Sequence, residues 1–160
     1  MKSRIYIETT VISYLAARPA RDVVSLARQE MSRDFWLWAP TVYELCCSQL
    51  TIEEVSRGDE TAARRRQEFI EQCTVLPDDP LVAEIANRLI RIKAVPATEP
   101  EDAAHIAIAT VAQMKYIVSW NFSHMVGPQA KRQLEKAITS LGFAPPFLAT
   151  PEEIFEEEAL

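Results

Sequence analysis

The sequence is short of glycine and of long apolar segments, and both shortages exclude classes of protein. Only three of the 160 residues are glycine, and none belongs to a glycine-rich phosphate-binding loop. No apolar run approaches the roughly 20 residues that cross a bilayer. The apolar run Ile5-Tyr6-Ile7 is also too short for a signal-peptide core. We therefore predict a cytoplasmic protein that does not associate with a membrane.

Cysteine and histidine are also scarce. The three cysteines, Cys46, Cys47 and Cys73, are odd in number and lack the Cys-x-x-Cys spacing of a zinc site. We expect reduced thiols rather than disulfides. With only two histidines in the chain, any metal site must draw most of its ligands from carboxylates.

Basic residues are outnumbered, with 17 Lys and Arg against 23 Asp and Glu and a net charge of −6. Such a chain cannot attract a polyanion through its overall field. To act on nucleic acid it needs a local basic patch or a bound metal ion. Hydrophobic residues make up 48% and charged residues 25%, which is typical of an ordinary globular protein, and the length suits a single domain over residues 1–160.

Apolar β-prone runs alternate with segments of helical periodicity along the chain. The runs predict strands, and the amphipathic segments between them predict helices. Strands that alternate with helices indicate a mostly parallel central sheet covered on both faces, which is a three-layer α/β/α fold. The strands are predicted at residues 4–8, 42–47, 74–76, 115–120 and 145–149.

Four polar residues are predicted to meet at one edge of this sheet. Glu8 ends the first strand, Glu54 lies on the short helix after the second, Asp102 opens a buried helix, and Asn121 follows the strand at 115–120. The carboxyl ends of parallel strands lie at a common edge, where ligands bind. Taken singly, each residue has a simpler interpretation: a solvated strand end, an exposed helix charge or a helix cap.

Carboxylates without a set of His or Cys ligands suit hard, oxygen-loving ions such as Mg²⁺ or Mn²⁺. Glu8, Glu54 and Asp102 are therefore the predicted metal ligands. An ion at this site could activate water and polarise a phosphoryl oxygen in phosphodiester hydrolysis. It would also supply the positive charge that this acidic chain lacks.

The two histidines each allow two interpretations. His105 lies three residues after Asp102 and could orient its carboxylate from the same helix face, or it could be a hydrogen-bonded core residue. His124, in the loop after Asn121, could contact a phosphate or have a structural role. We predict both as supporting residues of the site.

Five segments, in order, resemble the PIN-domain family. The first contains Glu8-Thr9-Thr10, the second ends in a Gly-Asp turn, the third begins Glu101-Asp102, the fourth contains Ser119-Trp120-Asn121, and the last is Thr-Pro-Glu. They cover residues 5–15, 47–59, 101–109, 117–124 and 149–154.

The resemblance implies a metal-dependent ribonuclease. Bacterial PIN domains are often VapC-type toxins neutralised by a small antitoxin, so it also implies an RNA substrate, an antitoxin partner and a homodimer. It makes Glu8, Glu54 and Asp102 the metal-binding acids, with the hydroxyls of Thr10 and Ser119 in support.

Two positions depart from the family pattern. Glu8 stands where most active members have Asp, and its extra methylene extends the carboxylate by about 1.5 Å. Asn121 stands where Asp is common and brings no charge. These departures predict one weakly bound ion in place of a strongly activated pair. The alternative function is a catalytically impaired PIN-fold module that binds RNA or protein.

Overall fold

The protein is described by a computed structural model over residues 1–159. Five strands and eight α-helices alternate along this part of the chain, with one π-helical turn after the fourth strand. The strands are β1 (Ser3–Ile7), β2 (Tyr43–Cys47), β3 (Thr74–Val75), β4 (Tyr116–Val118) and β5 (Phe147–Ala149). The helices are α1 (Thr9–Ala16), α2 (Val23–Val42), α3 (Gln49–Val55), α4 (Glu60–Ile70), α5 (Leu81–Arg91), α6 (Pro100–Val111), α7 (Pro128–Ser140) and α8 (Pro151–Ala159), and the π-helical turn is Phe122–Val126.

The five strands form one sheet in the order β3-β2-β1-β4-β5, and every neighbouring pair is parallel. From β1 the chain builds outward through β2 and β3, and then returns to add β4 and β5 on the other side of β1. The strand order therefore reverses between β1 and β4. In open parallel sheets the crevice beyond the carboxyl ends at such a reversal is the usual ligand site.

Helices cover both faces of the sheet, which confirms the predicted three-layer α/β/α class. Successive side chains of a strand point to opposite faces. Accordingly, Tyr6 packs into one apolar cluster while its neighbours Ile5 and Ile7 pack into another. The first cluster takes Leu89 of α5 and its neighbours on α6 and α7, and the second takes residues of α1, α2, α3, α4 and α8.

Helix starts follow the local sequence signals closely. The side chain of Asp22 accepts a hydrogen bond from Ser25 N at the start of α2, and Ser48 accepts one from Thr51 N at the start of α3. Such caps satisfy backbone N–H groups that have no partner inside the helix. Asp and Ser are preferred at this position, so the sequence predicts the caps at Asp22 and Ser48, and the structure confirms both. Ser48 sets the start of the helix that carries Glu54.

Helix α2 extends beyond its predicted end. The sequence predicts that this helix ends at Pro40, but the helix continues to Val42 with Pro40 in its last turn. Proline removes one backbone donor. The hydroxyl of Thr41 donates to Trp38 O at 2.6 Å, and Tyr43 N donates to Ala39 O, so neighbouring carbonyls of that turn keep partners. Neither this helix nor any other in residues 1–159 has the length and apolarity to span a membrane.

Candidate active site

The candidate site lies where the carboxyl ends of β1 and β4 meet. Glu8 directly follows β1, and its backbone N–H donates to Val118 O, the last residue of β4, at 3.0 Å. Ser119 comes next along the chain. Helices α1 and α3 begin directly after β1 and β2, so side chains of their first turns face the same edge of the sheet.

Glu8 is buried, with 4% of its surface exposed. Its Oε1 accepts hydrogen bonds from the hydroxyls of Thr10 at 2.6 Å and Ser119 at 2.5 Å, and its Oε2 accepts from Thr10 N at 3.0 Å. A buried carboxylate is costly unless it is hydrogen-bonded or paired with a cation. Here the three donors meet that need, so Glu8 both caps α1 and joins the end of β1 to the end of β4.

The hydroxyls around Glu8 also receive backbone N–H groups from the segment after β4. Trp120 N donates to Thr10 Oγ1, and Asn121 N donates to Ser119 Oγ, each at 2.9 Å. Each hydroxyl therefore accepts from the backbone and donates to Glu8. This arrangement orders the chain that leads from β4 to Asn121.

Glu54 forms a second polar group at the same edge. Its Oε1 accepts from the Thr9 hydroxyl at 2.7 Å and is hydrogen-bonded to His105 Nε2. Burial opposes ionisation of this carboxyl, but the hydrogen bond and charge of His105, together with Thr9, hold its pKa down at about 2. Glu54 is therefore an ionised carboxylate at neutral pH, and both of these hydrogen bonds reach the same oxygen.

His105 connects Glu54 to the core. It is 1% exposed, and its Nδ1 lies 2.6 Å from the Tyr6 hydroxyl, which in turn lies 2.8 Å from Ser48 Oγ. Burial raises the pKa of Tyr6 far above its usual value, so the phenol stays protonated. Nε2 of the imidazole donates to Glu54 and Nδ1 is hydrogen-bonded to the Tyr6 hydroxyl, so both ring nitrogens have partners.

The contacts of His105 agree with the second of its two predicted interpretations, a hydrogen-bonded core residue, and not with the orientation of Asp102. Three residues apart on α6, the two side chains start from one helix face, but His105 points into the interior and is almost fully buried. Asp102 stands in the first turn of α6 with 17% of its side chain exposed. His105 instead holds Glu54.

Asp102 is paired with the other histidine. Its Oδ2 lies 2.8 Å from Nδ1 of His124. Glu99, at the start of α6, completes a group of three in which each residue offers one ligand atom and all three atoms lie within 4.8 Å of one another. Sequence reasoning missed Glu99, although its spacing three residues before Asp102 at a helix start is a signal that the two carboxylates are neighbours.

His124 owes its position to the π-helical turn. Val126 N donates to Asn121 O at 2.9 Å and Gly127 N to Phe122 O at 3.1 Å, which is the wider hydrogen-bond pattern of a π-helix. Asn121 Oδ1 accepts from His124 N at 3.0 Å, so the Asn121 amide acts here as a cap of the turn. The sequence predicts only a loop at this position.

The donor sets fit a divalent cation to different degrees. Glu99, Asp102 and His124 combine two carboxylates with an imidazole, a set that suits Mn²⁺ or a later transition ion better than Mg²⁺, which prefers oxygen ligands. Glu54 could offer its second oxygen, Oε2, to an ion. Glu8 Oε1 already accepts from two hydroxyls, whereas its Oε2 accepts only from Thr10 N, so Oε2 is the oxygen that could still ligate an ion.

Comparisons with known proteins bear on the fold. No family model matches the chain, and no curated protein matches it in sequence. Among solved structures, the chain is similar to a chain of VapBC2 from Rickettsia felis bound to a DNA fragment from their promoter, with 10% identity and a TM-score of 0.61. The match covers 92% of this chain and 98% of that chain. At this identity the likeness shows a similar fold and nothing more, and that fold supports the PIN-like architecture that the sequence predicts.

Proposed function

We propose that this protein is a metal-dependent endoribonuclease that hydrolyses RNA phosphodiester bonds. The observation that carries the proposal is the group Glu99, Asp102 and His124, whose ligand atoms lie within 4.8 Å of one another at the carboxyl edge of the sheet. The ionised carboxylate of Glu54 belongs to the same region. The PIN-like fold and the family resemblance of the sequence point in the same direction.

Each residue has a proposed role in that reaction. Asp102, Glu99 and His124 hold a divalent ion, Mn²⁺ in preference to Mg²⁺, which when bound supplies positive charge and Lewis acidity toward a phosphate. Glu54, held by Thr9 and His105, presents Oε2 toward the ion or an attacking water. Orienting such a group in advance avoids part of the entropic cost of the reaction.

Glu8 and Asn121 keep positions at the site with different proposed tasks. Glu8, with Thr10 and Ser119, holds the ends of β1 and β4 in register, and its Oε2, which accepts only from Thr10 N, is the oxygen it could offer to an ion. Asn121 holds the backbone of His124 and so fixes the direction of the imidazole. Both act on the reaction through the geometry of their neighbours.

The deciding experiment measures cleavage of a labelled RNA with Mn²⁺, Mg²⁺ or Ca²⁺. Asp102→Asn and His124→Gln remove ligands, and Glu84→Gln, an exposed acid on α5, is the matched control. We expect activity that requires a divalent ion and is higher with Mn²⁺ than with Mg²⁺. It should fall at least 100-fold in both ligand variants and stay unchanged in Glu84→Gln. A 100-fold fall corresponds to about 3 kcal/mol of lost transition-state stabilisation.

Calorimetric titration of the same four proteins with Mn²⁺ separates binding from turnover. The proposal expects one ion to bind the wild type and Glu84→Gln, and weaker binding in Asp102→Asn and His124→Gln. Equal cleavage by all four proteins, or cleavage that persists in excess chelator, would contradict the assignment of nuclease activity to this site.

A catalytically impaired binding module is the second candidate. It is favoured by the hydrogen bonds that both oxygens of Glu8 already accept and by the amide at position 121, which reduce the negative charge available to an ion. In that case RNA or protein binds without turnover in any divalent ion. Binding of labelled RNA by a wild type that does not cleave it would select this candidate.

The biological setting belongs to the proposal as well. The similar Rickettsia felis structure is of a VapBC2 complex, and on that analogy we propose a toxin that acts in the cytoplasm as a homodimer and is neutralised by a small antitoxin. Expression of the wild type alone in bacteria should arrest growth, whereas Asp102→Asn should not. Co-expression of a small protein encoded next to this one should restore growth to the wild type.

A further inference from the structure

Phe122 is an exposed aromatic residue at the candidate site. It follows Asn121 directly and stands two residues before His124, in the first position of the π-helical turn, with 43% of its surface exposed. Trp36, by contrast, is buried in the core, where its indole N–H donates to Gln72, so its ring is not available to a ligand. Exposed apolar side chains are common on protein surfaces, so what distinguishes Phe122 is its place in the same turn as His124.

The ring of Phe122 is held in place by its neighbours. The Cζ atom of Arg28 lies 4.8 Å from its centroid, which is a cation–π contact, and the Trp120 ring lies 6.3 Å away at an angle of 41°. Trp120 is itself fixed, because its indole N–H donates to Ser32 Oγ at 2.8 Å and its ring packs edge-on against Tyr14. The ring of Phe122 is therefore held by Arg28 and Trp120, and part of its surface remains exposed to solvent.

The backbone below Phe122 is equally constrained. Gly127 N donates to Phe122 O at 3.1 Å, and a Cβ built on Gly127 would lie only 2.3 Å from that oxygen. The same turn carries His124, whose imidazole contacts Asp102. The ordered backbone of the turn thus fixes the directions of the Phe122 ring and of the His124 imidazole relative to one another.

Charge considerations explain why an aromatic contact would be useful here. The chain carries a net charge of −6, and the site itself is rich in carboxylates, so phosphates gain little from the overall field. Stacking of a base on an aromatic ring does not depend on the sign of the protein charge. Arg28 adds one local cation, since in residues 1–159 it forms no ion pair with an acidic side chain. Its Nη1 donates instead to the uncharged Tyr14 hydroxyl at 3.3 Å.

We infer that Phe122 and Arg28 form a stacking site for one unpaired nucleobase of the substrate strand. Phe122 offers its open surface to the base, and Arg28 supports the ring and faces the adjoining phosphate. A base inside a duplex is not available to such a ring, so the base that it contacts must be unpaired. This inference deepens the proposed function and rests on it for the cleavage step, whereas base binding can be measured without cleavage.

The test measures binding of a labelled 12-nucleotide RNA by fluorescence anisotropy in chelator and in Ca²⁺, with the duplex of the same sequence for comparison. The variants are Phe122→Leu, which removes the aromatic ring, and Phe122→Tyr, which keeps it. Phe147→Leu is the matched control, because Phe147 is 67% exposed but starts β5 and so lies at the amino edge of the sheet.

A stacked base is worth roughly 1–3 kcal/mol, so Phe122→Leu should weaken single-strand binding about 5- to 150-fold. Phe122→Tyr and Phe147→Leu should bind within about twofold of the wild type, and the duplex should bind weakly to all four. An abasic site moved along the RNA should weaken wild-type binding at one position, a readout that does not depend on the folding of any variant.

The outcomes also distinguish this inference from the proposed nuclease function. A wild type that binds RNA through Phe122 but cleaves nothing would support the stacking site and overturn the nuclease. A wild type that cleaves RNA while Phe122→Leu binds and cleaves equally well would overturn the stacking site alone. Failure of the wild type to prefer single strands over the duplex, or an abasic scan without a sensitive position, would also overturn it.

Discussion

The carboxylate of Glu8 accepts hydrogen bonds from two hydroxyl groups, each of which already accepts a hydrogen bond from the backbone. The hydroxyls of Thr10 and Ser119 accept hydrogen bonds from the backbone after β4 and donate to Glu8. The direction of both O–H bonds is thereby set toward the carboxylate. At the scale of single residues, the site is organised by this network of matched donors and acceptors more than by opposite charges.

The network predicts the effect of Glu8→Gln. An amide has the same shape but would turn an NH₂ group toward a hydroxyl or toward Thr10 N, which leaves one donor without an acceptor inside a buried site. We expect the free energy of unfolding to fall by about 1–3 kcal/mol, measured by urea denaturation monitored through tryptophan fluorescence.

The control for that measurement is Glu84→Gln, which makes the same chemical change on the exposed surface of α5. Its unfolding free energy should stay within about 0.5 kcal/mol of the wild type. Equal stability of Glu8→Gln and Glu84→Gln would contradict the hydrogen-bond directions assigned to Thr10 and Ser119.

At the scale of elements, the π-helical turn fixes the positions of His124 and Phe122. Its hydrogen bonds run from residues 126 and 127 back to Asn121 and Phe122, and Asn121 caps it. Gly127 closes the turn with φ −66° and ψ 151°, values open to any residue. The requirement for glycine is steric, because a Cβ would lie 2.3 Å from Phe122 O.

Gly127→Ala should therefore shift the turn. We expect a loss of about 1–3 kcal/mol of stability, as for overpacking in a tight site, together with weaker Mn²⁺ binding, because His124 moves relative to Asp102. Urea denaturation and calorimetric titration measure the two effects on the same protein.

The matched control is Gly142→Ala. Gly142 has φ +89° and open space around the position of a Cβ, so alanine there should cost about 1–2 kcal/mol of backbone strain but leave Mn²⁺ affinity unchanged. If Gly127→Ala also left the affinity unchanged, His124 would not be held by the turn and its role as a ligand would fail with it.

At the scale of the whole molecule, the acidic charge and the reversal of the parallel sheet combine to define what can bind. The reversal between β1 and β4 sets the position of the candidate site, and the carboxylates around it repel phosphates until a cation binds. Affinity for RNA should come from the metal ion and from stacking rather than from a broad basic surface.

The salt dependence of RNA binding tests this view of the molecule. For single strands the logarithm of affinity falls with the logarithm of salt concentration with a slope of about −0.7 per phosphate neutralised by the protein. With Arg28 and at most one further cation engaged, we expect a slope of about −0.7 to −1.4 in chelator, measured by anisotropy from 50 to 300 mM salt.

Arg28→Gln should make that slope less negative by about 0.7, because one phosphate contact is removed. A comparison with Arg91→Gln, a substitution of an exposed cation at the end of α5, controls for net charge. A wild-type slope near −5 would show that an extended basic surface binds RNA and would contradict the account given for Phe122 and Arg28.

The sequence by itself determined the elements of this protein and the edge at which the polar residues gather. Caps such as Asp22 and Ser48 act on donors within a few residues, and strand runs show their burial directly, so both can be recognised from local pattern. Glu8 and Asn121 follow β1 and β4, and the carboxyl ends of parallel strands share one edge. Their placement therefore required only the correct fold class.

Only the tertiary structure decided which polar residues are partners. His105 meets Glu54, 51 residues away, rather than Asp102 on its own helix, and His124 meets Asp102 across 22 residues. Such pairs depend on the strand order and on the rotation of each helix about its axis, which the spacing of residues along the chain does not specify. The π-helical turn escaped prediction because its stability comes from backbone hydrogen bonds and from the space that Gly127 leaves, and neither produces a periodic pattern of side chains.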